Sequence, residues 1–144
     1  MQNSFELSII IPLLNEEESI RPLFERILKA LQGKVSSLEV IFIDDGSTDG
    51  SWEIIQTLAK EHNEVKAISF TKNYGKSQAL NAGFKAAKKK YVATLDCDLQ
   101  DSPEIIIKFL EKWKEGYDLV YGVRKKRLEG GVFTFFRRIF FTLY

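Results

Sequence analysis

The sequence predicts an α/β fold: a doubly wound, mostly parallel sheet with helices on both faces. Three observations predict it. Short apolar runs alternate regularly with segments of helical spacing. The runs are apolar at consecutive positions, as strands buried on both faces are. Acidic motifs follow the runs directly, and in such sheets ligands bind beyond the carboxyl ends of the strands.

Leu7-Ser8-Ile9-Ile10-Ile11 is the first run, ended by Pro12. Glu16 to Gln32 has helical spacing through Ile20, Leu23, Phe24, Ile27, Leu28 and Leu31, with Gly33 as the stop. Leu38 to Ile43 is the second strand, followed by the loop Asp44 to Gly50. Asp49 or Ser51 caps a helix reaching about Glu61. Val65 to Phe70 is the third strand. A helix over Gly75 to Lys88 carries a thin face of Ala79, Leu80, Ala82, Gly83, Ala86 and Ala87, suited to close packing. Tyr91 to Leu95 is the fourth strand and Pro103 to Lys114 the fourth helix, with Asp101 or Ser102 at its cap. Gly116 ends it, and Asp118 to Gly122 reads as a fifth strand.

A chain of 144 residues with 44% hydrophobic content fits one domain with an ordinary core. The net charge of +1 gives no global pull toward nucleic acid or a membrane. The single Cys97 forms no internal disulfide, which is compatible with a reducing compartment. Met1 to Glu6 does not read as a signal peptide, and no run reaches the roughly 18 apolar residues of a membrane span. There is no internal repeat and no linker.

The most informative stretch is Thr94 to Glu104. If the strand continues, Asp96 and Asp98 point the same way, because side chains alternate faces. Gln100 then shares their face with a neutral oxygen. The next helix is capped from Asp101 or Ser102, so Asp96 and Asp98 are left over for another task. Oxygen ligands of this kind suit Mg²⁺ or Mn²⁺. Asn15-Glu16, Asp44-Asp45 and Arg124 follow other strands, so acids and a base gather at one rim. Asp45 is the better candidate to accept from a base or ribose, against the plainer reading of Asp44 to Ser47 as a turn.

Other motifs fall away. Gly75-Lys76-Ser77 lacks the glycine of a phosphate loop, since Phe70 stands in its place. Lys76 reads as a first-turn surface residue within reach of the rim. His62 reads as an exposed helix end. Cys97 reads as a small spacer, because a catalytic thiol needs a histidine partner. Lys88 to Lys90 reads as a solvated helix end. A phospho-receiver needs an aspartate after the third strand, where Thr71-Lys72-Asn73 stands. A dinucleotide oxidoreductase needs a glycine fingerprint where Leu13-Leu14-Asn15 stands.

The segment from Val132 to Tyr144 is aromatic with Arg137-Arg138 at its middle. It packs on the domain, joins another chain as a homo-oligomer contact, or lies in a membrane interface with its arginines toward headgroups; the last is favoured. Its abrupt end reads as that of a truncated chain.

Five motifs in order now resemble a known family. Ser8 to Pro12 with Asn15-Glu16, Asp44 to Gly50, Asn73 to Lys76, Asp96 to Glu104, and Tyr121 to Arg124 look like glycosyltransferase family 2. The Asp-Leu-Gln-Asp-x-Pro-Glu run is most similar to the polyprenyl-phosphate glycosyltransferases. The resemblance implies a GT-A, Rossmann-like nucleotide-sugar-binding domain over 1–131 and a C-terminal segment over 132–144. It implies that Pro12, Leu14, Glu16, Ile43, Asp45, Leu95, Asp96 and Cys97 line the nucleotide. Asp96, Asp98 and Gln100 would hold the metal, with Asp98 and Arg124 acting at the reacting diphosphate. Arg124 and Arg137 would take acceptor phosphate. The family has a small residue such as alanine where Cys97 stands, and its members continue well past Tyr144.

The expected reaction is inverting, metal-dependent transfer of a hexose from a UDP- or GDP-sugar to a polyprenyl phosphate, at the cytoplasmic face of a membrane in cell-envelope synthesis. A lipid phosphate is already anionic near neutral pH, with a second pKa of about 6, and needs no general base. The basic run Arg124 to Arg127 and the arginine-bearing tail suit such an acceptor. The alternatives are a saccharide acceptor and a non-catalytic nucleotide-sugar-binding module.

Overall fold

A computed structural model describes residues 5–123. Two compact units divide at Ile105/Ile106. The first holds β1 (Phe5–Leu13), α1 (Ile20–Leu31), β2 (Val35–Asp44), α2 (Ser51–Glu61), β3 (Val65–Ser69), α3 (Lys76–Ala86) and β4 (Tyr91–Thr94). The sheet order is β3-β2-β1-β4, with every neighbouring pair parallel. The winding therefore reverses between β1 and β4. Crevices at such a reversal are where open α/β sheets take ligands.

Sequence alternation sets the two faces. Ile10 and Ile41 are register partners, as are Pro12 and Ile43, and this face meets α3. Ile10, Ile41, Ile43 and Ala79 form one buried cluster. Ile11 and Phe42 point to the opposite face, where the Phe24 ring of α1 stands edge-on to Phe42 at 6.3 Å. Full burial of each such side chain contributes roughly 1.5–3 kcal/mol. The thin face expected on α3 is real at its centre: Ala79 and Gly83 are buried.

Several boundaries differ from the sequence reading. Helix α1 starts at Ile20 rather than Glu16. Asn15 takes a left-handed φ of 55°, and the amides of Glu16 and Glu17 are claimed by the side chains of Ser51 and Asp49 at the start of α2. Gly50, not Asp49 or Ser51, precedes α2; Asp49 Oδ1 accepts from the Ser51 N–H at 3.0 Å. His62 is half-buried rather than exposed, edge-on to Phe24 at 4.8 Å with Nδ1 3.5 Å from Glu64.

The far end of the sheet holds a buried carboxylate. Ser8 donates its hydroxyl to Glu39 at 2.6 Å, Lys66 pairs with the other oxygen, and the Lys88 N–H donates at 3.0 Å. The Lys89 N–H donates to the Ser8 hydroxyl oxygen at 3.2 Å. The expected solvated lysine run thus closes the sheet's lower end through its backbone. Burial pushes the Glu39 pKa up, but Lys66, Ser8 and Lys88 together outweigh it and hold the carboxyl below its ordinary value.

The second unit contains α4 (Ile105–Lys114) beyond its first residue; the helix buries Ile106 and Leu110 and ends before Gly116 at φ +91°. Helix α4 starts two residues after Pro103, because Ser102 to Glu104 forms a turn closed by the Ile105 N–H on the Ser102 carbonyl. The expected fifth strand over Asp118 to Gly122 does not form. Its apolar part is only Leu119 to Tyr121, and Leu119 is 61% exposed, so no burial drives it onto a ladder.

Two outcomes are expected. A Cβ on Gly83 would sit 2.3 Å from Ile10 Cγ2 and 3.0 Å from Ile43 Cδ1, so Gly83→Ala should lower stability by about 1–3 kcal/mol in urea unfolding. The depressed Glu39 pKa contributes stability above the unfolded value of 4.5, lost as pH falls through the lower folded value. Glu39→Gln should flatten the decline of the urea midpoint between about pH 6 and pH 3; an unchanged slope would contradict the assignment.

Candidate active site

Parallel strands deliver all their outgoing loops to one rim, where the loops' backbone groups must find partners. They find them in one another. The Asn15 N–H donates to Ser47 Oγ at 2.8 Å, and Asn15 Oδ1 accepts from the Thr48 N–H at 2.8 Å. The Glu16 N–H donates to Ser51 Oγ at 2.9 Å, and the Gly50 N–H to Glu17 Oε2 at 2.7 Å. These bonds zip the β1–α1 loop to the β2–α2 loop. Gly46, at φ +78°, then packs on the Lys72–Asn73 backbone, where a Cβ would come within 2.5 Å of a backbone carbon.

Asp44 and Asp45 divide the work. Asp44 is a turn residue: its carboxylate accepts from the Ser47 N–H at 2.9 Å and from the Ser69 hydroxyl at 3.3 Å. Asp45 reaches the third loop. Its two oxygens accept from the Tyr74 N–H at 2.7 Å and the Gly75 N–H at 2.9 Å, fixing the start of α3.

At the reversal between β1 and β4 lies a cavity of about 300 Å³. Pro12, Leu13, Leu14 and Glu16 border it from β1, Asp45 from β2, and Asn73, Gly75, Lys76 and Ala79 from the start of α3. Asp96, Cys97 and Asp98 border it after β4. Four carboxylates (Glu16, Asp45, Asp96, Asp98) against one ammonium (Lys76) leave this described lining at a formal −3. Lys76 Nζ lies 2.5 Å from Asp96 Oδ1.

The carboxylates after β4 do not sit on a continuing strand, which ends at Thr94. Asp98 folds back to accept from the Gln100 N–H at 3.0 Å, and Leu99 takes a left-handed φ of 60°. A leucine there costs about 1–2 kcal/mol. Leu95 and Cys97 are buried while Asp96 is half-buried and Asp98 exposed, so the alternation continues past the last strand residue and both carboxylates border the same cavity before the chain turns at Leu99. Gln100, beyond the turn, is outside the lining.

Of the other expected nucleotide residues, Ile43 lies fully buried beneath α3. Leu95 is buried, with its N–H donating to the Ile10 carbonyl at 3.0 Å. Cys97 is 3% exposed; burial, then Glu16, Asp98 and Asp96, push its thiol up to about 12. The thiol is thereby held in its neutral form. Arg124, Arg137 and the segment 132–144 lie outside the described residues. Sequence reading passed over Asn73 and Gly75 as cavity residues; the Asn-x-Gly-Lys run after the third strand was the available signal.

The donor set suits a hard dication. Asp96 and Asp98 offer oxygens only, and the ammonium on Asp96 shows that the position attracts a cation. Among the described residues no group of three or more His, Cys, Asp or Glu side chains forms a metal cage. Two carboxylates completed by phosphate oxygens is the usual arrangement for Mg²⁺.

Asp45→Asn should lower the stability of the ligand-free protein by about 1–3 kcal/mol, because an amide nitrogen then faces a backbone N–H. A thermal melt without ligand checks this. An unmoved melting temperature would mean that Asp45 is not what fixes the start of α3.

Comparison with known proteins agrees with this geometry. The undecaprenyl-phosphate 4-deoxy-4-formamido-L-arabinose transferase of Proteus mirabilis is 42% identical over 123 residues, covering 85% of this chain and 38% of that protein. The bactoprenol glucosyl transferase of Shigella phage SfV is 38% identical over 126 residues, covering 88% and 41%. The chain thus spans about two fifths of the length of these relatives. The solved structure of S. aureus TarS 1-349 in complex with UDP-GlcNAc matches with a TM-score of 0.62 at 26% identity, over 76% of this chain and 31% of that one. The parallel sheet and its rim are those of the GT-A fold. The model of glycosyl transferase family 2 matches residues 8–143, and the chain belongs to that family.

Proposed function

We propose that the protein transfers a hexose from a nucleoside-diphosphate sugar to a polyprenyl phosphate, with inversion at the anomeric carbon and with Mg²⁺ or Mn²⁺ bound. The observation that carries this reading is the pair Asp96 and Asp98 on a cavity at the reversal of the sheet. Two relatives named for transfer to undecaprenyl phosphate or bactoprenol support the acceptor. The TarS complex supports a UDP-sugar among the donors; a GDP-sugar remains the other choice.

Electrostatics supports the metal. A diphosphate brought to a lining of formal −3 meets repulsion from Glu16, Asp45, Asp96 and Asp98. A dication on Asp96 and Asp98 would cut the formal charge of the lining from −3 to −1 and would screen the charge that develops on the leaving diphosphate. Pro12, Leu14, Glu16 and Asp45 would hold the nucleoside, over a buried floor of Ile43, Leu95 and Cys97. Arg124 and Arg137 would bind phosphate oxygens with the planar fork that suits them.

The acceptor chemistry needs no base from this chain. A phosphate oxygen forms the new bond to the anomeric carbon as the bond to the diphosphate breaks, and no proton moves. The prenyl tail places the reaction at a membrane surface, on this reading the cytoplasmic one. No helix among the described residues is long and apolar enough to cross a membrane.

Isothermal titration of UDP and GDP, with Mn²⁺ and with EDTA, tests the site. Asp96→Asn and Asp98→Asn should each weaken the metal-dependent binding by at least about tenfold with the melting temperature little changed. Equal binding with and without metal would sink the assignment. Transfer to a soluble saccharide but not to polyprenyl phosphate would overturn the acceptor.

A further inference from the structure

A charge contact on the cavity, Lys76 with Asp96, takes no part in the bonds that zip the rim together. Lys76 is the first residue of α3, set by Gly75 at φ +94° and held in place through the Asp45 bonds to the Tyr74 and Gly75 amides. Its exposed side chain turns to Asp96, the ammonium 2.5 Å from Oδ1, with the two side chains 59% and 40% exposed. Asp96 is one of the two carboxylates assigned above to the dication. An ammonium and a dication on one carboxylate repel each other, so a dication on Asp96 competes with this pair.

We propose that Lys76 is a positioning residue that serves as the resident counter-cation of Asp96, yields that carboxylate to the dication, and then pairs with the donor diphosphate. The proposal rests on the nucleoside-diphosphate reading of the site. It makes metal and nucleotide binding cooperative. Without nucleotide, the metal must displace an ammonium that has no better partner. With nucleotide, the displaced ammonium stays on the rim of the same cavity and gains phosphate oxygens. An exposed ion pair is weak, so displacement is a modest barrier rather than a block.

Mn²⁺ titration of the full chain, followed by the electron paramagnetic resonance signal of free Mn²⁺, measures the first half. Calorimetric titration of UDP and GDP at saturating Mn²⁺ measures the second. Lys76→Met should tighten Mn²⁺ binding without nucleotide by about fivefold, the scale of a lost surface pair. It should weaken nucleoside-diphosphate binding at saturating Mn²⁺ by about tenfold, the scale of a lost charge-assisted contact. Lys76→Arg keeps the cation and should stay near wild type in the Mn²⁺ titration. Lys72→Met removes the same charge from the neighbouring loop, where the ammonium lies 5.1 Å from the Tyr74 ring centroid, and should shift neither titration more than about twofold.

Opposite signs for Lys76→Met in the two titrations support the proposal. An Mn²⁺ affinity unchanged or weakened in Lys76→Met, while the wild type still binds nucleotide with metal, overturns it alone. An equal gain in Lys72→Met also overturns it, by reducing the effect to net charge. A wild-type chain that binds neither UDP nor GDP with Mn²⁺ overturns the site reading and this proposal together.

Discussion

The rim depends on the Asp45 carboxylate. It sits at the end of the second strand, 5% exposed, and its two oxygens are committed to two consecutive amides at the start of α3. A buried carboxylate that accepts two backbone donors is stabilised, and the donors lose their desolvation cost. The consequence is geometric. The loop carrying Asn73 and Lys76 is tied to the strand end that also anchors, through Asp44 and Ser47, the loop zipped to Asn15 and Glu16. Three loops from three strands therefore hold one shape before any ligand arrives, which is the preorganisation a binding site needs.

The sheet carries a second carboxylate centre at its opposite end, and the contrast is instructive. Glu39 is closed off: a hydroxyl, an ammonium and a backbone amide satisfy it. Among the described residues no buried side-chain nitrogen or oxygen lacks a partner. Asp96 and Asp98 share the −3 lining with only one ammonium, and that ammonium is exposed. A fully satisfied buried carboxylate holds a fold together. A half-satisfied exposed pair beside a cavity is available to a ligand.

Much of this was legible in the sequence. The central strands β1 and β2 were legible because their runs are apolar at consecutive positions, which only burial on both faces rewards; the edge strands β3 and β4 are shorter and half-buried. Gly83 stood out because a helix face of small residues has no other use than close approach. The fifth strand was misread because three apolar residues do not specify a ladder without a partner edge. Asp96 and Asp98 border one cavity as alternation predicts, although the strand stops at Thr94; the turn at Leu99, which carries Gln100 out of the lining, has no local pattern to announce it. The bonds from Asp45 to Tyr74 and Gly75 span about 30 residues, and those from Glu39 to Ser8 and Lys88 span more. Such pairings follow from register and topology, which composition and periodicity do not encode.

The distribution of charge along the chain gains a meaning from the fold. Among the described residues, every charged residue on the cavity except Lys76 is acidic, and all of them precede Leu99. The basic clusters Arg124 to Arg127 and Arg137-Arg138 come afterwards. On the proposed reading, donor and acceptor are both anions that must approach each other within bonding distance. An acidic cavity alone repels both, and a basic one would hold the departing diphosphate too tightly to release it. Acids that retain a removable dication solve half of that problem, because charge can arrive and leave with the nucleotide. Fixed arginines from the later sequence would solve the other half, holding the lipid phosphate that has no metal of its own. Acids from the strand ends first and arginines afterwards is the order expected when the sheet binds the donor and the following segment brings the acceptor to it.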